Sequence, residues 1–155
     1  MNWSSFESFA LGEPDQEASP EARQPGRVLI ADDEPFFSQA LAEMLEDEGI
    51  VVSAVVTDGE RAVQAARTFH PDVIVMDLRM PVLDGLEAAL RIRAVDPLVQ
   101  ILMLSAYEEA ALRQEASEAG VYCYLVKGCR PELVIEMVHK ALDRRRGLAG
   151  RPQQD

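Results

Sequence analysis

From Arg27 onward, short apolar runs alternate with stretches in which apolar residues recur every three to four positions. Val28-Leu29-Ile30-Ala31 is a continuous apolar run of the kind a strand buried on both faces requires. Pro35 can open a helix, where its missing N–H costs little, and Phe37, Ala40, Leu41, Met44 and Leu45 follow at helical spacing up to a terminating Gly49. Residues 50–56 are rich in β-branched side chains and predict a second strand. Asp58 is the predicted N-cap of a helix ending near His70-Pro71, because its carboxylate can accept an orphan backbone N–H. The alternation continues with a strand at 73–76, a helix at 86–95 and a strand at 99–104. A helix at 108–119 closed by Gly120, a strand at 122–126 and a helix at 131–145 complete it. Five strand–helix units in succession predict an α/β domain, (βα)5, with a parallel sheet covered by helices on both faces.

Composition sharpens the boundaries. Residues 1–26 are dominated by Ser, Glu, Pro and Gly, and nothing in them is periodic after Trp3 to Phe9. They predict a disordered acidic tail, in which Trp3-Ser4-Ser5-Phe6 is a short aromatic segment capable of docking. Residues 27–143 form the predicted domain, and 144–155, with four arginines, a basic stub or the start of a linker. The chain carries 27 acidic against 15 basic residues, a net charge of −12. Such acidity argues against nucleic-acid binding by this chain, since phosphate contacts need Lys and Arg. Arg144-Arg145-Arg146 suits the negative end of the last helix better than a DNA patch. No apolar run reaches about 18 residues, so no membrane span is predicted. Residues 1–10 lack the basic and apolar blocks of a signal peptide. The two cysteines, Cys123 and Cys129, form no CxxC pair, which fits a reducing, cytoplasmic setting. His70 and His139 are far apart and make no metal pair.

The chemistry lies at the strand ends. In open α/β sheets, ligands bind beyond the carboxyl ends of the strands. There strand one ends in Asp32-Asp33, strand three in Asp77, strand four in Ser105 and strand five in Lys127. Three carboxylates, a hydroxyl and an ammonium are thus predicted to share one rim. Carboxylates packed together repel unless a cation intervenes. Mg²⁺ favours one or two carboxylates together with waters and phosphate oxygens.

These residues, with Asp77-Leu78-Arg79-Met80-Pro81 leading to Asp84-Gly85 and with Ser105-Ala106, resemble the receiver domain of bacterial two-component response regulators. The resemblance spans about residues 27–143. It implies a flavodoxin-like, doubly wound five-stranded parallel sheet with strand order 2-1-3-4-5. It also implies a phospho-acceptor at Asp77, with Mg²⁺ (or Mn²⁺) held by Asp33, Asp77 and the backbone carbonyl of Arg79, and by Asp32 through water. Ser105 and Lys127 are implied as the phosphoryl-contacting groups. Ser105 with Tyr124 forms the implied switch, in which Ser105 moves toward the phosphoryl group and Tyr124 turns in from an exposed rotamer. Arg79 and Tyr107, two residues after the acceptor and the serine, occupy positions that tune water access and dephosphorylation. Ser105 stands where threonine is more frequent, and Gly128 where proline often follows the lysine. The stretch from Lys127 to Leu133 is closest to LuxR/NarL-type receivers.

The implied function is acceptance of a phosphoryl group from a sensor histidine kinase, so the chain is expected to be no enzyme beyond its own phosphorylation and dephosphorylation. The apolar face of the last helix, Leu133, Met137 and Leu142, reads mostly as core, and homodimer contacts through part of that helix also follow from the resemblance. Two other readings exist. A phosphohydrolase of the haloacid dehalogenase class needs a second acid two residues after its nucleophile, where this chain has Arg79. A phosphate-independent scaffold of the same fold usually lacks one of the key residues, and here all are present. The residues after Asp143 are too few for a helix-turn-helix domain of roughly 60 residues. The output is therefore expected from a domain beyond this sequence or from a protein partner.

Overall fold

The computed structural model describes residues 24–150. Five strands, β1 (Arg27–Ala31), β2 (Val51–Val56), β3 (Val73–Met76), β4 (Gln100–Ser105) and β5 (Cys123–Val126), form one parallel sheet in the order β2-β1-β3-β4-β5. Five helices connect or follow them: α1 (Pro35–Asp47), α2 (Gly59–Phe69), α3 (Gly85–Val95), α4 (Ala110–Glu118) and α5 (Pro131–Ala149). This is the doubly wound, flavodoxin-like sheet that the alternating pattern and the resemblance predict. The 1–26 tail and its Trp3-Ser4-Ser5-Phe6 segment lie almost wholly outside the described residues, as do residues 151–155.

Strand alternation divides the core into two. Val28, Ile30, Val73, Val75, Leu102 and Leu104 face α1 and α5. Leu29, Ala31, Ile74, Met76, Ile101, Met103 and Tyr124 face the layer of α2, α3 and α4. The continuous apolar runs at β1, β3 and β4 are thus explained: every residue of β3 and β4 is buried because both faces are covered.

Helix starts follow the predicted chemistry. The Asp58 carboxylate accepts the Arg61 N–H at 2.8 Å, and Asp84 accepts that of Glu87 at 2.9 Å. Pro35 and Pro131 occupy first turns. Two details of α5 differ from expectation. Its buried stripe is Val134, Val138, Ala141 and Leu142, with Leu133 and Met137 half-buried at its margin. The helix also runs past Arg145 to Ala149, through Gly147, which has open space around it.

The loop after β3 is locally strained. Val82 has φ 73° and is 79% exposed, while the Leu83 N–H donates to the Pro81 carbonyl at 2.7 Å, a three-residue turn. A β-branched residue in this conformation costs of order 1–3 kcal/mol. Glycine relieves that strain at an entropic cost of about 0.4–1 kcal/mol. Val82→Gly is therefore expected to raise the melting temperature by roughly 2–4 °C, as about 1 kcal/mol does in a domain of this size. A lower melting temperature by calorimetry would contradict the strain.

Candidate functional site

The carboxyl ends of β1, β3, β4 and β5 meet at one rim. Asp32 and Asp77 are fixed there by the sheet itself: the Asp32 N–H donates to the Val56 carbonyl and the Asp77 N–H to the Ala31 carbonyl, each at 2.9 Å. Glycine sets the depth of the loop that follows Asp77. A Cβ on Gly85 would lie 2.2 Å from the Asp77 carbonyl oxygen, and one on Gly59 2.0 Å from the Leu83 carbonyl oxygen. Only a residue without a side chain lets α2 and α3 press this closely on the loop.

Asp32, Asp33 and Asp77 each offer a carboxylate oxygen within 4.8 Å of the others. Asp32 and Asp77 are only 3% and 6% exposed, whereas Asp33 opens to solvent. Lys127 leans into this cluster, its Nζ 2.8 Å from Asp32 Oδ2, 3.3 Å from Asp77 Oδ2 and 2.6 Å from Glu34 Oε1. The Phe37 ring centroid lies 4.7 Å from the same nitrogen. The Lys127 backbone is tied to the site as well, its N–H donating to the Ser105 carbonyl at 2.8 Å.

One ammonium shared among these acids does not balance their burial. Desolvation raises the pKa of Asp32 above the usual carboxylate range, against the lowering pull of Lys127 and the Glu34 N–H. Asp77 is raised too, first by desolvation and then by the charge of Asp32, against the pull of Lys127 and the Arg79 N–H. Lys127 responds oppositely: burial draws its pKa down, but its hydrogen bonds to Asp32 and Glu34 and the neighbouring charges win, and it stays above the ordinary lysine range. The donor set is three hard carboxylate oxygen ligands, two of them buried and under-neutralised, and it suits a small divalent cation.

Ser105 is fully buried, and its Oγ accepts the Tyr107 N–H at 3.1 Å. Tyr124 is turned inward rather than outward. It is 9% exposed, and its hydroxyl donates to the Tyr107 carbonyl. Arg79 and Tyr107 meet each other, with the guanidinium 5.3 Å from the ring centroid. The structure thus brings Asp32, Asp33, Asp77, Arg79, Ser105, Tyr107, Tyr124 and Lys127 to one end of the sheet. Sequence reasoning missed Glu34 and Phe37 as companions of Lys127. Glu34 gave no signal beyond that of a loop acid, and Phe37 read only as a core position of α1. Cys123 is held away from thiolate chemistry, since burial pushes its thiol up to about 11.

Residues 28–139 match the response regulator receiver domain family. The chain is 38% identical over 128 residues to the transcriptional regulatory protein PdtaR of Mycobacterium tuberculosis, an alignment covering 83% of this chain and 62% of that protein. The chain therefore spans less than two thirds of that relative's length. The signal receiver domain of the putative response regulator NarL from Mycobacterium tuberculosis superposes with TM-score 0.74 at 28% identity, covering 78% of this chain and 98% of that one. The CheX-CheY-BeF3-Mg+2 complex from Borrelia burgdorferi contains a chain that matches with TM-score 0.72 at 27% identity, over 75% of this chain and 88% of that one. Among the described residues, no helix is long and apolar enough to cross a membrane. With five parallel strands in 2-1-3-4-5 order and an acidic rim facing one lysine, the chain belongs to the response regulator receiver domain family of two-component signalling proteins.

Proposed function

We propose that this chain accepts a phosphoryl group on Asp77 from a phosphohistidine of a sensor histidine kinase in the cytoplasm, and that phosphorylation changes the loop between β4 and α4. The observation that carries this reading is the placement of Asp77: buried at the end of a central strand, 3.3 Å from the Lys127 ammonium and within 4.8 Å of two further acids. An Asp77 oxygen attacks phosphorus; the new O–P bond forms as the P–N bond breaks, and the imidazole leaves with the bonding pair and takes a proton. Burial makes the Asp77 carboxylate more basic than a solvated one, which favours attack. Lys127 neutralises charge on the transferring oxygens, most of what phosphoryl transfer asks of a protein. Asp32, Asp33, Asp77 and the Arg79 carbonyl would hold Mg²⁺ or Mn²⁺, which when bound supplies charge neutralisation beside the phosphoryl oxygens. Ser105 Oγ already accepts from Tyr107, so its proton is free to be donated to a phosphoryl oxygen.

The chain catalyses only its own phosphorylation and dephosphorylation. Similarity to a transcriptional regulatory protein supports transcription as the output, and the LuxR/NarL-like loop supports the same class. The test is a titration with beryllofluoride and Mg²⁺, or phosphorylation by acetyl phosphate, in the wild type and in Asp77→Asn. No response in the wild type, or an equal response in the variant, would overturn the reading.

Shielding by Arg79 and Tyr107 predicts a slow hydrolysis of the acyl phosphate. The guanidinium packs against the ring, on residues two positions beyond Asp77 and Ser105, and that bulk beside the acyl phosphate would restrict water. Arg79→Ala is expected to shorten the phosphorylated lifetime about fivefold, corresponding to about 1 kcal/mol of barrier. Phosphate release from purified protein measures it; loss within seconds in the wild type would contradict the shielding.

A further inference from the structure

We infer that Arg113, a residue on the outer surface of α4, is a positioning residue that holds Tyr124 inward and thereby sets the resting geometry of the Ser105 loop. The inference rests on the receiver reading above and extends it to a residue that touches neither Asp77 nor the acidic rim.

Arg113 makes three contacts at once. Its Nη1 donates to the Tyr124 backbone carbonyl at 3.2 Å, and its Nη2 donates to Glu108 Oε1 at 3.0 Å. Its guanidinium carbon lies 4.9 Å from the centroid of the Tyr124 ring. The side chain thus grips β5 by its backbone, covers the aromatic face of Tyr124, and is braced from the solvent side by an acid of the β4–α4 loop. A planar guanidinium with a fork of donors can make such a grip; an ammonium supplies charge without the fork. An arginine stacked on a ring opposes rotation of that ring out of its pocket, because leaving breaks the cation–π contact.

The contacts continue inward. Tyr124 is tied by its hydroxyl to the Tyr107 carbonyl, and the Tyr107 N–H is tied to Ser105 Oγ. The Tyr107 ring meets Arg79, two residues from Asp77. One unbroken series of contacts therefore runs from the outside of α4 to the hydroxyl that faces the phosphoryl site. Arg113 and Glu108 stand at its outer end, where a change removes no group in contact with Asp77 and acts on it only through the Ser105 loop. With Arg113 in place, the inward state of Tyr124 is favoured before any phosphoryl group arrives, and the free energy left for phosphorylation to contribute to the switch is correspondingly smaller.

The test uses the full chain labelled with fluorotyrosine, whose three tyrosine signals are assigned through single Tyr→Phe variants. In the wild type, the Tyr124 resonance should reflect a buried ring and move little when beryllofluoride and Mg²⁺ are added. In Arg113→Gln it should move toward the exposed position, and beryllofluoride should restore it. The initial rate of phosphorylation by acetyl phosphate should fall about fivefold in the same variant. Arg113→Lys should recover part of this, and Glu108→Gln should show the same change in weaker form. A merely structural arginine would lower the melting temperature and leave both the Tyr124 resonance and the rate at wild-type values; that result overturns the inference. The Tyr107 signal, beside the site, reports beryllofluoride binding separately. If it fails to respond in the wild type, the phospho-acceptor reading fails, while the Tyr124 shift in unliganded Arg113→Gln still decides the role of Arg113.

Discussion

Asp77→Asn is expected to abolish phosphoryl acceptance and, in the absence of divalent cations, to make the protein more stable. An amide oxygen is a far poorer nucleophile than a carboxylate, and no neighbouring group replaces it. Asp33 is exposed and Asp32 is already engaged by Lys127 and the Glu34 N–H. Phosphorylation by acetyl phosphate should fall at least about a thousandfold, on the scale of the loss when a nucleophile is removed. The stability change follows from the same burial. A carboxyl whose pKa is raised in the folded state favours folding when protonated and disfavours it when ionised, so at neutral pH Asp77 acts against the fold. Asparagine removes that charge and the repulsion with Asp32. The gain in melting temperature should shrink as pH falls through the raised pKa of Asp77, where the wild-type carboxyl is itself neutral. Mg²⁺ should raise the melting temperature of the wild type more than that of the variant, because the variant lacks one of the three acids. Thermal melts across pH, with and without Mg²⁺, separate these effects from a simple loss of structure.

Lys127→Met carries the second large effect, with the opposite sign for stability. The methionine fills much of the same volume, yet it leaves Asp32 and Asp77 buried beside each other with no cation, and frees Glu34. Removing one partner of a buried ion pair costs about 3–5 kcal/mol. Here the loss should lie near the lower bound, because Asp33 opens the rim to water. The sign with pH is clear. Loss of the ammonium raises both carboxyl groups further, so the destabilisation is largest at neutral pH and diminishes toward acid, as the two acids take up protons. Denaturant midpoints at pH 7 and near pH 4.5 test this; an equal loss at both would show that Lys127 acts through packing rather than charge. Phosphoryl acceptance should fall as well, since the ammonium 3.3 Å from Asp77 is the protein's own counter-charge to the transferring oxygens.

Much of this site is written in the apolar runs. β1, β3 and β4 are so uniformly buried that their ends are unambiguous, and a polar residue directly after such a run must lie at the rim of the sheet. That is why Asp32, Asp77 and Ser105 were legible. Glu34 was not, because an exposed acid in a loop looks the same whether it meets solvent or a lysine 93 residues away. Arg113 left no trace at all: its register on α4 is that of a solvated surface residue, and its partner Tyr124 is 11 positions on. The last helix runs to Ala149, beyond the 131–145 expected, and passes through Gly147. Intrahelical hydrogen bonds carry the chain through it, and the Gly150 N–H still donates to the Arg146 carbonyl at 3.0 Å. For Tyr124 the structure shows the inward position of the expected switch, and the sequence could not show that the Tyr107 carbonyl is there to receive its hydroxyl.

Strand β5 is only four residues long, yet its alternation assigns two jobs to two sides of the molecule. Tyr124 points into the layer of α2, α3 and α4, under Arg113. Three residues on, the ammonium of Lys127 rests against Phe37 of α1, on the other side of the sheet. A molecule approaching Lys127 over α1 therefore stands on a different surface from one that senses Tyr124 through α4. Substitutions on the two faces of this end of the sheet should therefore be separable, one set reaching Tyr124 and the other Lys127.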